Sequence, residues 1–193
     1  MGFGLLVIGY ISVLGVLPYL YLYLSWSVFI AVAGGCIMLA GFCKLQGYNI
    51  YFKAMKYICI VYILVLLGGA PFYIFFGEIT YSPVFMVVTK IIRTCVMFVF
   101  HFFLITAVSA LAKEIENKTV AAKAKRNMVV TYVFFSAFVL EFFDMAEFAA
   151  VLLVFTLVYF ILMLSLLFSC YMRITYEGRD EEIDAKFKNN KKG

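Results

Sequence analysis

Charge is missing from the start of this chain: the first charged side chain is Lys44, and only 14% of its 193 residues are Asp, Glu, Lys or Arg. Globular domains carry about a quarter, so an ordinary water-facing surface is excluded. Trp26 is the only Trp, His101 the only His, and proline is confined to Pro18, Pro71 and Pro83. A single His with no H-E-x-x-H, G-x-S-x-G, P-loop or G-x-G-x-x-G pattern leaves no known catalytic motif, and no metal or cofactor is expected. The five cysteines, Cys36, Cys43, Cys59, Cys95 and Cys170, form no C-x-x-C pair and are read as small packing residues. A net charge of +5 without a basic, aromatic-interleaved stripe gives no case for nucleic acid.

What is present is apolar: 66% of the chain is hydrophobic, with 22 Phe and 14 Tyr. A run of about 20 apolar residues crosses the roughly 30 Å hydrocarbon core of a bilayer. The expected fold is therefore an all-α integral membrane protein with six transmembrane helices in three antiparallel hairpins, its first partner being the lipid bilayer. The spans fall at about 3–17, 28–43, 57–76, 84–112, 127–143 and 145–172, followed by a charged cytoplasmic tail over 173–193. Lys and Arg number three in 44–56, five in 113–126 and six after 172; only Lys90 and Arg93 lie elsewhere. The positive-inside rule then puts all three basic stretches, and both termini, in the cytoplasm. Short connectors and a compact chain point to a bacterial cell membrane.

Two features interrupt the apolar blocks. Gly68-Gly69-Ala70-Pro71 lies in the third segment, where Pro removes a helix hydrogen bond and Gly lowers helix propensity, so a kink or break is expected there. In the second segment, Ala31 and Gly35 lie one turn apart and allow close helix packing, either within the chain or against another membrane subunit.

The remaining signal is ionic. Lys90, Arg93, Met97 and His101 recur at helical spacing on the fourth segment. Counting roughly 1.5 Å per residue from the basic connector, Glu141 on the fifth segment falls at a height between His101 and Arg93. A charge at mid-membrane costs from about 3 to over 10 kcal/mol, so Glu141 is expected to contact Arg93 or His101. Asp144 and Glu147 have capping-box spacing at the start of the sixth segment, or form an outer acidic cluster. Three readings fit. Lys90, Arg93, His101 and Glu141 line a substrate site between helices 3, 4 and 5 of a small transporter or substrate-binding membrane component, with Lys90 and Arg93 binding an anionic group and Glu141 gating it or taking a proton. Alternatively the chain is a non-catalytic scaffold or signalling protein, in which Lys90 and Arg93 snorkel to the outer headgroups, His101 donates to a backbone carbonyl, and Asp144 and Glu147 cap helix six. An intramembrane enzyme using His101 is the third.

In size, six spans, inside termini and a small-residue face at Ala31 and Gly35, the chain resembles a substrate-binding subunit of the energy-coupling-factor vitamin transporters. The resemblance is architectural, covers the whole length loosely and includes no diagnostic motif. It implies a transport component that docks a scaffold subunit through small residues. Such subunits carry that patch on the first helix, whereas here it lies on the second.

Overall fold

The computed structural model describes residues 2–15, 27–75, 83–138 and 149–175. Every element among them is helical. Helix α1 (Gly2–Tyr10) passes into a π-helical turn (Ile11–Gly15), and is followed by α2 (Ser27–Leu45), α3 (Ile50–Phe75), α4 (Pro83–Glu114), α5 (Lys118–Phe138) and α6 (Ala149–Cys170), which ends in a second π-helical turn (Tyr171–Thr175). The helices form a ring in which each packs on its sequence neighbours and α6 closes back on α1. Phe42, Phe100, Tyr10 and His101 fill the middle.

Both described turns are shorter than the charge pattern suggests, and the reason is capping. Asn49 accepts from the Phe52 amide through Oδ1, and Asn117 does the same for Val120, so each Asn is an N-cap three residues before its partner. The helices consequently begin at Ile50 and Lys118, ahead of the apolar spans expected from 57 and 127. Lys53 and Lys56 therefore belong to a helix, as do Lys123, Lys125 and Arg126, and not to connectors between helices. Asn49 also donates to the Ala107 carbonyl at 3.1 Å, tying the first turn to α4.

α4 ends in a Schellman motif, with Asn117 N bonded to Ala112 O at 2.8 Å and Glu116 N to Lys113 O at 3.1 Å. The motif needs a left-handed residue, and Glu116 supplies it at φ 58°. Glycine adopts that conformation without the Cβ penalty. Glu116→Gly is expected to raise stability by about 0.5–1 kcal/mol, measurable as a higher thermal midpoint in detergent.

The Gly68-Gly69-Ala70-Pro71 stretch does not break its helix: α3 runs on to Phe75. Proline there forfeits one backbone hydrogen bond, a loss that a long apolar helix absorbs when its neighbours hold it in place. Pro83 opens α4, where its missing N–H costs nothing.

Among the described residues two helices, Thr94–Glu114 and Val151–Ile174, are long and apolar enough to cross a membrane. A soluble core helix passes the same test but is mostly buried. In the second, 22% of the most apolar window is buried. Val154, Phe155, Val158 and Ile161 on α6, Val129 and Val133 on α5, and Leu64 and Val65 on α3 are all exposed. Buried or apolar-facing hydroxyls are hidden locally: Ser12, Thr106, Thr131, Thr156 and Ser169 each donate to the carbonyl four residues back. Each of these hydroxyls is thereby satisfied within its own helix, as it must be wherever no water reaches it.

Candidate functional site

α4 delivers the single His to the centre of the ring. His101 is 3% exposed, and its Nδ1 lies 2.8 Å from the Met97 carbonyl one turn earlier. A carbonyl only accepts, so Nδ1 carries the proton. In the neutral imidazole Nε2 is then an acceptor, and it receives the Tyr10 hydroxyl from α1 at 3.1 Å. Rings enclose the pair: Tyr159 lies 5.2 Å from the imidazole centroid, Phe100 5.7 Å, and Phe135 6.0 Å. Phe160 stacks on Tyr10 and Phe134 stacks on Tyr159.

A second chain of hydrogen bonds joins α5 to α6. Thr131 Oγ1 donates to the Asn127 carbonyl at 2.8 Å, which uses its one proton, so the Tyr159 hydroxyl 3.0 Å away is the donor to Thr131. Asn127 Nδ2 donates across to the Leu162 carbonyl at 2.8 Å. One turn nearer the basic end, Lys123 Nζ donates to Ser169 Oγ, which itself donates to the Ser165 carbonyl, both at 2.6 Å. Arg173 reaches Thr119 Oγ1 at 3.3 Å. Thr119, Lys123, Asn127 and Thr131 recur every four residues, so one face of α5 carries the whole ladder.

The chain's ends and turns meet at one end of the ring. Gly2 abuts Leu45, Gly4 abuts Tyr171, Asn49 bonds Ala107 and Arg173 bonds Thr119. Lys44, Lys53, Lys56, Lys113, Lys118, Lys123, Lys125, Arg126 and Arg173 all belong to that end, against Glu114 and Glu116 as the described acids.

Of the residues singled out from sequence, His101 is placed fully and sits among aromatic rings. Lys90 and Arg93 lie on α4, roughly 16 and 12 Å from His101 along the helix at 1.5 Å per residue. Their side chains are not among those described, and Glu141, Asp144 and Glu147 lie outside the described residues altogether, as does the 176–193 part of the tail. Ala31 is buried, and Gly35 faces α3: a Cβ there would stand 2.8 Å from Ile63 Cγ1, and the Gly35 carbonyl accepts from Cys59 Sγ. This small-residue pair packs within the chain. Among the described residues no three His, Cys, Asp or Glu converge on a common point.

Tyr10, Asn127, Thr131 and Tyr159 were not foreseen. Asn127 and Thr131, four apart at the head of an apolar block, were legible as a polar face; Tyr10 was one Tyr among 14 and nothing local marked it. No protein family, curated protein or solved structure matches this chain.

Proposed function

We propose that this chain is a six-pass integral membrane protein with both termini on the cytoplasmic side of a bacterial cell membrane. Within it, we assign the role of a small transporter or substrate-binding membrane component that takes its ligand from the side opposite the basic end. The membrane reading is supported by apolar exposed faces on α3, α5 and α6, by hydroxyls returned to their own helices, and by nine basic side chains gathered at one end of the ring.

The observation that carries the transport reading is the seal at His101. Tyr10, His101, Tyr159 and their surrounding rings fill the ring's centre, so a ligand enters from the half of α4 that carries Lys90 and Arg93. Lys90 and Arg93, with His101, Glu141 and Glu147, are the charged and imidazole residues of the apolar blocks in the sequence, and an intramembrane ionisable residue is a functional candidate by default. Arg93 presents a planar fork suited to a carboxylate or phosphate, with Lys90 beside it in sequence and Glu141 as gate or proton acceptor. Purified protein is expected to be stabilised by at least one member of a panel of small carboxylates and organic phosphates. Arg93→Ala should express normally and lose that stabilisation at least tenfold in concentration dependence, about 1.4 kcal/mol or more, while Arg93→Lys keeps part of it. An Arg93→Ala protein that fails to fold would assign the charge a structural role and end the transport reading.

The scaffold reading has one observation in its favour: His101, Asn127, Thr131 and Ser169, the buried polar side chains described, all hydrogen-bond within the chain. On that reading deletion of 177–193 removes function while the bundle survives, and no anion stabilises the protein.

A further inference from the structure

Three cations line the seam between α5 and α6 at the basic end, and all three donate to neutral oxygens. Arg173 bonds Thr119, Lys123 bonds Ser169, and Arg126 bonds Asn127 Oδ1 through Nε at 3.4 Å and Nη2 at 3.3 Å. None has a carboxylate partner among the described residues. Arg126 and Arg173 are exposed and Lys123 is half-buried. Because Thr119 and Lys123 are one turn apart on α5, and Ser169 and Arg173 one turn apart facing them, the Lys123 and Arg173 heads stand about one helical turn from each other.

Directly beyond these cations both helices expose apolar stripes. Arg126 continues along α5 into Val129 and Val133, and Arg173 follows Ile161, Phe168 and Met172 on α6, all exposed. A ligand that meets both features has an anionic head and long apolar chains. The geometry points to a binding site for an anionic phospholipid on the α5/α6 seam, its phosphate held by Lys123, Arg126 and Arg173 and its acyl chains laid on the two stripes. Clustered cations at the cytoplasmic ends of membrane helices recognise such headgroups. This site rests on the membrane-embedded reading and is independent of whether the chain transports anything.

The test is native mass spectrometry of the protein released from neutral detergent, titrated with phosphatidylglycerol or phosphatidylcholine. Phosphatidylglycerol is expected to bind in preference to phosphatidylcholine, and Arg126→Gln/Arg173→Gln to weaken it roughly 30-fold, about fivefold per cation. A charge-matched control, Lys44→Gln/Lys53→Gln, should keep the wild-type affinity. Lys123→Gln should weaken binding about fivefold; because Lys123 is half-buried, the two exposed arginines carry the decision if it fails to fold. Equal loss in both double variants would show diffuse attraction and overturn the site, as would competition by millimolar inorganic phosphate alone. Binding that appears only after deletion of 177–193 would assign the cations to the carboxylates of the tail and likewise overturn it. Failure of the chain to enter nanodiscs at all would instead overturn the membrane reading.

Discussion

Gly9→Ala is expected to destabilise the protein by about 1–3 kcal/mol, even though alanine is the better helix former by up to about 1 kcal/mol. A Cβ at Gly9 would stand 2.4 Å from Met38 Cγ, 2.7 Å from the Gly34 carbonyl oxygen and 2.8 Å from Met38 N. The side-chain contact can yield, but the other two are backbone, so α1 and α2 must separate. The contact is reciprocal: a Cβ at Gly34 meets Ser12 Cβ at 2.7 Å and the Gly9 carbonyl at 3.1 Å. It repeats two turns away, where Gly41 and Gly2 abut each other's carbonyls at 3.0 and 3.2 Å. Glycines seven residues apart on each of two antiparallel helices thus set their distance. Gly9→Leu should go further and leave no monodisperse folded protein. Gly47→Ala is the control, because nothing lies within 4 Å of its Cβ and no loss is expected. Thermal midpoint and size-exclusion profile in one detergent decide the matter. An unchanged Gly9→Ala protein would mean that α1 does not lie against α2 as described.

His101→Ala should cost about 3–5 kcal/mol, the range for removing a large ring from a close-packed core. Two losses add: the space between Phe100, Phe135 and Tyr159 empties, and the Tyr10 hydroxyl loses its acceptor. Phenylalanine separates them. His101→Phe refills the volume and strands only the Tyr10 hydroxyl, while Tyr10→Phe strands only Nε2; each costs about 1–3 kcal/mol. With both partners apolar the double variant recovers much of that, giving a coupling energy of about 1 kcal/mol in a double-mutant cycle. Interhelical hydrogen bonds in membrane proteins average about 0.6 kcal/mol by this measure, so a value near zero is small enough to refute the pairing.

Small residues on α2 drew notice at four-residue spacing, as Ala31 and Gly35, yet the face that meets α1 is Gly34 and Gly41 at seven. Both spacings were in the sequence; which one faces α1 depended on where α3 and α1 pack around α2. The cationic run ending at His101 is legible too, and so is donation from the imidazole to a backbone carbonyl, which Met97 accepts at 2.8 Å; its second partner is not. Spacing put His101 on a stripe with Lys90 and Arg93, whereas the imidazole's described partners are Tyr10, 91 residues away in the chain, and the carbonyl of Met97. The α5/α6 ladder was half visible, since Thr119, Lys123, Asn127 and Thr131 share a face, though nothing local said that Ser169, Leu162 and Tyr159 would answer them.

Composition and periodicity by themselves determined that this chain is helical, that its helices are too apolar for an ordinary aqueous surface, and that its basic residues cluster in three stretches, because hydropathy and charge are properties of each segment alone. Tertiary structure decided which glycines touch, which hydroxyl satisfies the imidazole, where the helices begin relative to their apolar runs, and that Arg173 shares one end with the basic residues of the two described turns. Those outcomes depend on how six helices divide a limited interior among them, and no single segment contains that information.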